Sequence, residues 1–212
     1  MVRKIQIALF CMLFSLVGFS QSRFFVNLNG GLDFNTNKYF SPNGYEKFED
    51  GQTDFNYGLD LGYRLNDWFR FRLEFGYNEF SYGQRPSSTV DILETEMTLN
   101  CMDINPRLDF RVWNKNKFEL FLSPGLRLEY VMNADQESIR ADGAISTRNY
   151  ISTDYKDAMS GFVGGVIFKY NLTKHLGFTL SPDYTVFFDK LYDKNDGALQ
   201  RFNTNFGVEW TF

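Results

Sequence analysis

The chain has 212 residues, enough for one domain or two small ones. Its 43% hydrophobic and 23% charged residues exclude a disordered chain, and a net charge of -4 removes the electrostatic basis for a nucleic-acid partner. Two Cys and one His are too few soft ligands for a structural zinc site. Aromatics are abundant at 18%, with 24 Phe and 12 Tyr, beside 17 Gly and only 5 Pro.

Residues 1–20 have the order of a secretory signal peptide. Arg3 and Lys4 precede an apolar run from Ile7 to Phe19, and Gly18 and Ser20 place small residues before Gln21. This run of 13 residues, broken softly by Ser15 and Gly18, is short for a spanning helix, which needs about 20. Cys11 follows bulky Phe10, where a lipoprotein signal wants a small residue. Cleavage after Ser20 leaves 20 basic against 26 acidic residues, a mature charge of -6, and Cys101 as the sole mature cysteine. The expected organisation is a signal peptide at 1–20 and a single domain at 21–212.

From there a period of two runs along the chain. Phe55, Tyr57, Leu59, Leu61, Tyr63 and Leu65 alternate with Asp54, Asn56, Gly58, Asp60, Gly62 and Arg64. A helix would scatter those apolar residues around its axis, whereas a strand puts them on one face. The same alternation predicts strands over 24–34, 54–65, 69–78, 102–112, 118–130, 161–170, 176–189 and 201–212. At about 10 to 14 residues each they are long for a soluble sheet and sufficient to cross a bilayer at a tilt. Links at 66–68, 113–117 and 171–175 are tight, while 35–53, 83–94, 133–157 and 190–199 are long and polar. Short turns at one rim and long loops at the other, with an even strand number, place both termini on the short-turn, periplasmic side.

Alternation alone does not say which face points inward, and a lipocalin-type barrel with a wet exterior has the same period. Three features favour the membrane version. Roughly five to six large apolar side chains per strand exceed what an eight-stranded interior can hold. Aromatics gather near strand ends, at Trp68, Phe69, Trp113, Phe118, Tyr170, Trp210 and Phe212, as in interfacial girdles. The polar face carries nearly balanced charge. Arg64, Arg70, Arg72, Arg107, Arg111, Arg127, Lys169 and Arg201 stand against Asp60, Glu74, Asp103, Asp109, Glu119, Glu129, Asp183, Asp189 and Glu209. Charges in a narrow barrel are costly unless paired, so this set reads as a network that fills the lumen. A gated pore with exchanging pairs is the alternative. The fold class is therefore all-β: an eight-stranded antiparallel transmembrane up-and-down β-barrel.

The last strand ends Phe206-Gly207-Val208-Glu209-Trp210-Thr211-Phe212, and its terminal aromatic resembles the assembly signal of bacterial outer-membrane proteins. Met102-Asp103-Ile104-Asn105-Pro106-Arg107-Leu108, Leu122-Ser123-Pro124-Gly125-Leu126 and the glycine-rich Gly161 to Val166 are similar to strands of the PorT-like and OmpA/OmpX-like small outer-membrane β-barrels of Bacteroidota. The first departs from that pattern by Asn105 and Arg107. The resemblance implies an integral outer-membrane protein without an assigned activity. It also implies contact with outer-membrane lipid and delivery to barrel-assembly machinery through the strand ending at Phe212. Loops 35–53 and 133–157 are the expected place for a protein partner.

No catalytic, cofactor or metal site is expected. His175, the sole histidine, lies in the turn Asn171 to His175 with no nucleophile near in sequence and reads as a solvated turn residue. Asp193-Lys194-Asn195-Asp196-Gly197 has Ala198 where a calcium loop needs Gly, so it reads as a turn. Glu46, Glu49, Asp50 and Asp54 read as a solvated acidic loop. Cys101 is expected to be a buried, inert thiol on the lumen face. Pro106, Pro124 and Pro182 fall on the lipid face as register devices. An envelope or surface-binding role, a small gated pore and an accessory part of a secretion machine all remain open.

Overall fold

The computed structural model describes residues 23–37, 46–47, 53–85, 92–150, 157–189 and 199–212. The expected signal segment 1–20 and the Asp193 to Gly197 turn lie outside the described residues, as do Glu49 and Asp50. Ten strands follow in chain order: β1 (Phe24–Asn37), β2 (Glu46–Lys47), β3 (Thr53–Arg64), β4 (Phe69–Arg85), β5 (Ile92–Lys115), β6 (Phe118–Arg140), β7 (Ile145–Tyr150), β8 (Ala158–Asn171), β9 (Leu176–Phe187) and β10 (Leu199–Thr211).

Eight of them form a ring. β1 pairs β3, β3 pairs β4, and the order continues through β5, β6, β8, β9 and β10. β10 then returns to β1 in a ladder running from Phe25↔Thr211 to Asn37↔Leu199. All these pairings are antiparallel, so the architecture is the expected eight-stranded barrel with no free edge in its wall. Closure is what hydrocarbon demands, because an unpaired backbone N–H or C=O finds no water there.

The predicted face assignment is visible in the alternation of exposure. Along β10, Phe202, Phe206, Val208 and Trp210 are exposed while Arg201, Asn203, Asn205, Gly207 and Glu209 are buried. Leu28 is 64% exposed between buried or half-buried neighbours. Outward rings pair across strands near the short-turn rim, with Phe24–Tyr63 centroids 4.7 Å apart and Phe69–Phe110 and Phe118–Tyr170 each 4.9 Å apart. Such pairs stabilise neighbouring strands beyond their buried area.

Two strands outrun expectation. β5 has 24 residues and β6 has 23, more than twice the roughly 9–11 that cross a bilayer. Much of the predicted loops 83–94 and 133–157 is therefore strand, and β7 adds a third strand to β6 through Ile139↔Ile145 to Ala134↔Tyr150. From Leu93 to Cys101 the alternation turns over, with Leu99 and Cys101 inward and buried, so this stretch does not continue the outward pattern of Met102 to Val112. Asp54 is likewise part of β3, buried beneath Asn35 and Ser81, rather than a loop residue.

The three strand prolines have a common geometry. Each sits outward and is paired on one side only. Pro106 pairs Leu73 of β4, but the β5–β6 ladder skips it between Ile104↔Leu128 and Arg107↔Gly125. Pro124 pairs Gly164 of β8, while the same β5–β6 ladder skips it between Arg107↔Gly125 and Phe110↔Leu122. Pro182 pairs Thr204, while the β8–β9 ladder skips from Gly165↔Asp183 to Phe168↔Leu180. A proline lacks one donor, so one of its two ladders opens locally. Two of the three openings fall on the β5–β6 seam.

The tight turn between β5 and β6 is made at Asn116, whose φ of 57° is left-handed, a region that Asn tolerates better than most residues. Replacing Leu28 with Arg, mid-strand and outward, is expected to lower the unfolding free energy in lipid vesicles by about 2–4 kcal/mol, measured by denaturant titration.

Candidate functional site in the barrel interior

The inward positions build a stack of charge. At the short-turn end, Arg70 donates to Asp109 at 2.8 Å and to Glu209 at 2.9 Å. Its guanidinium lies 3.9 Å from the Phe121 ring centroid and 4.7 Å from that of Phe25. Lys169 also pairs Glu209, and Glu119 takes Arg111 at 2.9 Å and Lys169 at 3.7 Å. Arg64 is half-buried at this rim.

The middle tier centres on Arg72 and Arg107. Arg72 reaches Asp60 at 3.0 Å, Asp109 at 3.2 Å and Glu74 at 3.4 Å, and it donates to the Ser123 hydroxyl at 3.0 Å. Ser123 in turn donates to Asp109 at 2.6 Å. Arg107 joins Glu74 on β4 to Asp183 on β9, both at 3.1 Å. Above them Arg127 meets Asp103 at 3.1 Å. Arg201, fully buried, forks onto both oxygens of Glu129 at 2.6 and 3.0 Å and donates to Asn35 and Asn78 at 2.9 Å each.

The structure thus brings Asp60, Arg70, Arg72, Glu74, Arg107, Asp109, Arg111, Glu119, Lys169, Asp183 and Glu209 into one connected set. Arg127, Glu129 and Arg201 form the tier above it. Asp189 lies apart, accepting from the amide and hydroxyl of Ser160 at 2.8 and 2.7 Å. Many partners are far apart in sequence, Arg70 and Glu209 by 139 residues, and only ring closure brings them together. Such pairs cost desolvation on burial, so they add little net stability over apolar side chains of similar volume, whereas losing one partner of a pair is costly.

Three features were missed by the sequence reading. First, the interior is not polar throughout. Phe80, Leu99, Cys101, Val131, Ala134, Met159 and Phe187 form a buried apolar cluster toward the long-strand end. Arg201 sits beneath it, 5.4 and 5.5 Å from the Phe80 and Phe187 rings. Apolar residues at both parities, as in Leu120-Phe121-Leu122 and Val186-Phe187-Phe188, were the available signal. Second, Asp33 and Asp54 are buried, and their side-chain partners among the described residues are asparagine amides and the Ser81 backbone N–H rather than arginines. Asn56 and Asn203 donate to Asp33, Asn35 to Asp54 at 2.8 Å, and Asn27 and Asn29 to Asp60 at 2.8 and 2.9 Å. The alternate asparagines of β1 were their sign. Third, His175 is held rather than merely solvated: its Nδ1 lies 2.8 Å from the Thr211 carbonyl and its ring stacks on Trp210 at 5.9 Å.

Among the described interior residues space is scarce. A cavity of about 10 Å³ among Asn29, Asn56, Asn78, Asp103, Asn203 and Asn205 has room for about one water. Gly76 makes way for the Asp103 carboxylate, since a Cβ there would lie 2.0 Å from Oδ1. Among the described residues no cluster of His, Cys, Asp and Glu is arranged to hold a metal.

An outward greasy wall around an inward ionic stack defines a membrane-spanning β-barrel of the bacterial outer membrane. The chain belongs to the family described as "Outer membrane protein beta-barrel domain", whose profile matches residues 7–212. Among solved structures it is similar to Neisserial surface protein A (NspA), at 16% identity over 89% of this chain and 97% of that one, with a TM-score of 0.53. OprG of Pseudomonas aeruginosa is similar at 13% identity, covering 91% and 97%, also at 0.53. At these identities the likeness is one of fold. No functionally curated protein matches the sequence.

Arg201→Met leaves Glu129 buried without its partner and is expected to destabilise the barrel by about 3–5 kcal/mol, read by guanidinium unfolding in detergent. Adding Glu129→Leu should restore most of that loss, because a buried pair and an apolar pair of similar volume are nearly equivalent.

Proposed function

We propose that this protein is a non-enzymatic, non-conducting outer-membrane barrel that holds a β-ribbon outside the membrane for contact with the envelope or with a protein partner. In this reading residues 1–20 direct export and are removed. The termini face the periplasm, and the C-terminal strand ending at Phe212 is what the assembly machinery recognises. The observation that carries it is the filled interior. A lattice of ion pairs and hydrogen bonds runs from Arg70 through Asp109, Arg72, Glu74, Arg127, Asp103 and Asn78 to Arg201 and is covered by the Phe80–Leu99–Phe187 cluster. An ion crossing it must break several buried pairs and then pass a dry apolar layer, both costly in a low-dielectric interior.

The surface role is supported by the lengths of β5 and β6 and by β7. Residues beyond the roughly 11 needed for a span stand clear of the hydrocarbon, with Leu93, Ile139 and Ile145 exposed on them. Rigid ribbon, rather than slack loop, is a low-entropy way to present a binding surface. Segments 35–53 and 133–157 are the partner-facing parts in this reading. The absence of an enzymatic role is supported by the tethering of the sole histidine to Thr211 and Trp210, and by the burial of Cys101. The finer kinship to PorT-like barrels of Bacteroidota rests on the strand segments already quoted and lends this chain no role.

Planar-bilayer recording tests the reading. The wild-type protein is expected to give no steady unit conductance, and Arg72→Ala, which empties the middle tier, is expected to introduce one. Steady steps in the wild type that vanish in Arg72→Ala would instead establish the gated pore.

A further inference from the structure

The outward wall has a trough that general lipid contact does not require. One row of side chains crosses five strands in the order Trp113, Leu120, Phe168, Leu180, Phe206, each paired with the next across a ladder. Each leucine is therefore flanked by larger rings. The row below it, toward the short turns, runs Phe118, Tyr170, Phe178 and Val208. Between them lies an apolar groove of about 320 Å³, bounded by Trp113, Phe118, Phe168, Tyr170, Phe178 and Phe206. Leu120 and Leu180, set between the three rings of their row, are too short to fill the relief, so the sequence itself builds the groove.

The groove opens toward two turns, and both are cationic. Asn114-Lys115-Asn116-Lys117 and Asn171-Leu172-Thr173-Lys174-His175 carry no carboxylate. Lys115 lies two residues from Trp113, on the same outward face, and pairs with Phe118. The Lys117 ammonium lies 5.9 Å from the Tyr170 ring centroid, over the groove's lower edge. Lys174 is exposed on the adjoining turn. A greasy slot ending in lysines is complementary to a molecule with an acyl chain at one end and a phosphate at the other.

We propose that this groove is a binding site for one anionic glycerophospholipid of the periplasmic leaflet. Its acyl chain lies over Leu120 and Leu180, and its phosphate meets Lys115, Lys117 and Lys174. Lysine is suited to this role as a compact, strongly hydrated charge at the interface, with its stem lying along apolar surface. The leaflet assignment rests on the orientation proposed above, whereas the site itself does not.

Trp113 is a built-in reporter, because bromine on a nearby acyl chain quenches indole fluorescence. The Trp68→Phe, Trp210→Phe protein, refolded into zwitterionic vesicles containing a small fraction of dibrominated phosphatidylglycerol, is expected to be quenched about fivefold beyond that lipid's mole fraction. Lys115→Gln, Lys117→Gln and Lys174→Gln together should remove the excess. Leu180→Phe, which fills the trough without touching charge, should also remove it. Quenching in proportion to mole fraction, or an excess that survives the lysine replacements, overturns the proposal. Lipid A that displaces the brominated lipid better than unlabelled phosphatidylglycerol also overturns it, assigning the phosphate to the opposite leaflet. The orientation is read separately. Asn116→Cys on intact cells should resist a membrane-impermeant maleimide, and labelling there would overturn the leaflet while leaving the vesicle result to judge the site.

Discussion

Everything in this molecule follows from the requirement that a backbone crossing hydrocarbon satisfy its own hydrogen bonds. Ring closure between β1 and β10 meets that requirement, and once the ring closes its two faces meet different solvents. The outer face must be greasy. The inner face, cut off from lipid, must find partners for the polar and charged groups it holds. The period of two in the sequence is the record of that division.

The inner face resolves its problem in two ways. In the sector from β4 to β10, arginines bridge carboxylates across the ring, and Arg107 between Glu74 and Asp183 is the clearest case. In the sector of β1 and β3, asparagine amides meet Asp33 and Asp54, and at Asp60 they share the carboxylate with Arg72. Above both, the apolar cluster around Phe80 and Leu99 closes the interior without any polar group to satisfy. A barrel this narrow is thus a packed core whose constituents happen to be ionic over most of its height.

The strands in lipid were legible because one face of each is uniformly greasy, and Phe55 to Leu65 is sufficient by itself to show it. The parity of Arg70, Glu74, Arg107 and Glu209 followed from the same pattern. Which cation meets which carboxylate did not, since Arg70 and Glu209 are neighbours only because the ring closes. The outer reach of β5 was hidden for a related reason: there the greasy positions, Leu99 and Cys101, face inward, and the pattern that marked Met102 to Val112 turns over. Phe121 and Phe187 were hidden because an inward ring among outward ones looks like a longer greasy run. The prolines were placed on the correct face by parity. Their one-sided pairing needed the neighbouring ladders to be seen.

The outer face is more than a coat. Paired rings near the short-turn rim fix its height at the interface, and the row from Trp113 to Phe206 alternates large and small side chains across five strands. Inside and outside are assigned by parity along the barrel strands, with the bulge between Arg111 and Trp113 of β5 as a local exception. The most direct test of this central claim is a nitroxide scan of β10 in a Cys101→Ser background, with the protein refolded in vesicles. Labels at 202, 206, 208 and 210 are predicted to be accessible to dissolved oxygen and shielded from a water-soluble nickel relaxant. Labels at 203, 205, 207 and 209 are predicted to be shielded from both. The opposite parity, or nickel accessibility along the odd positions, would contradict the account.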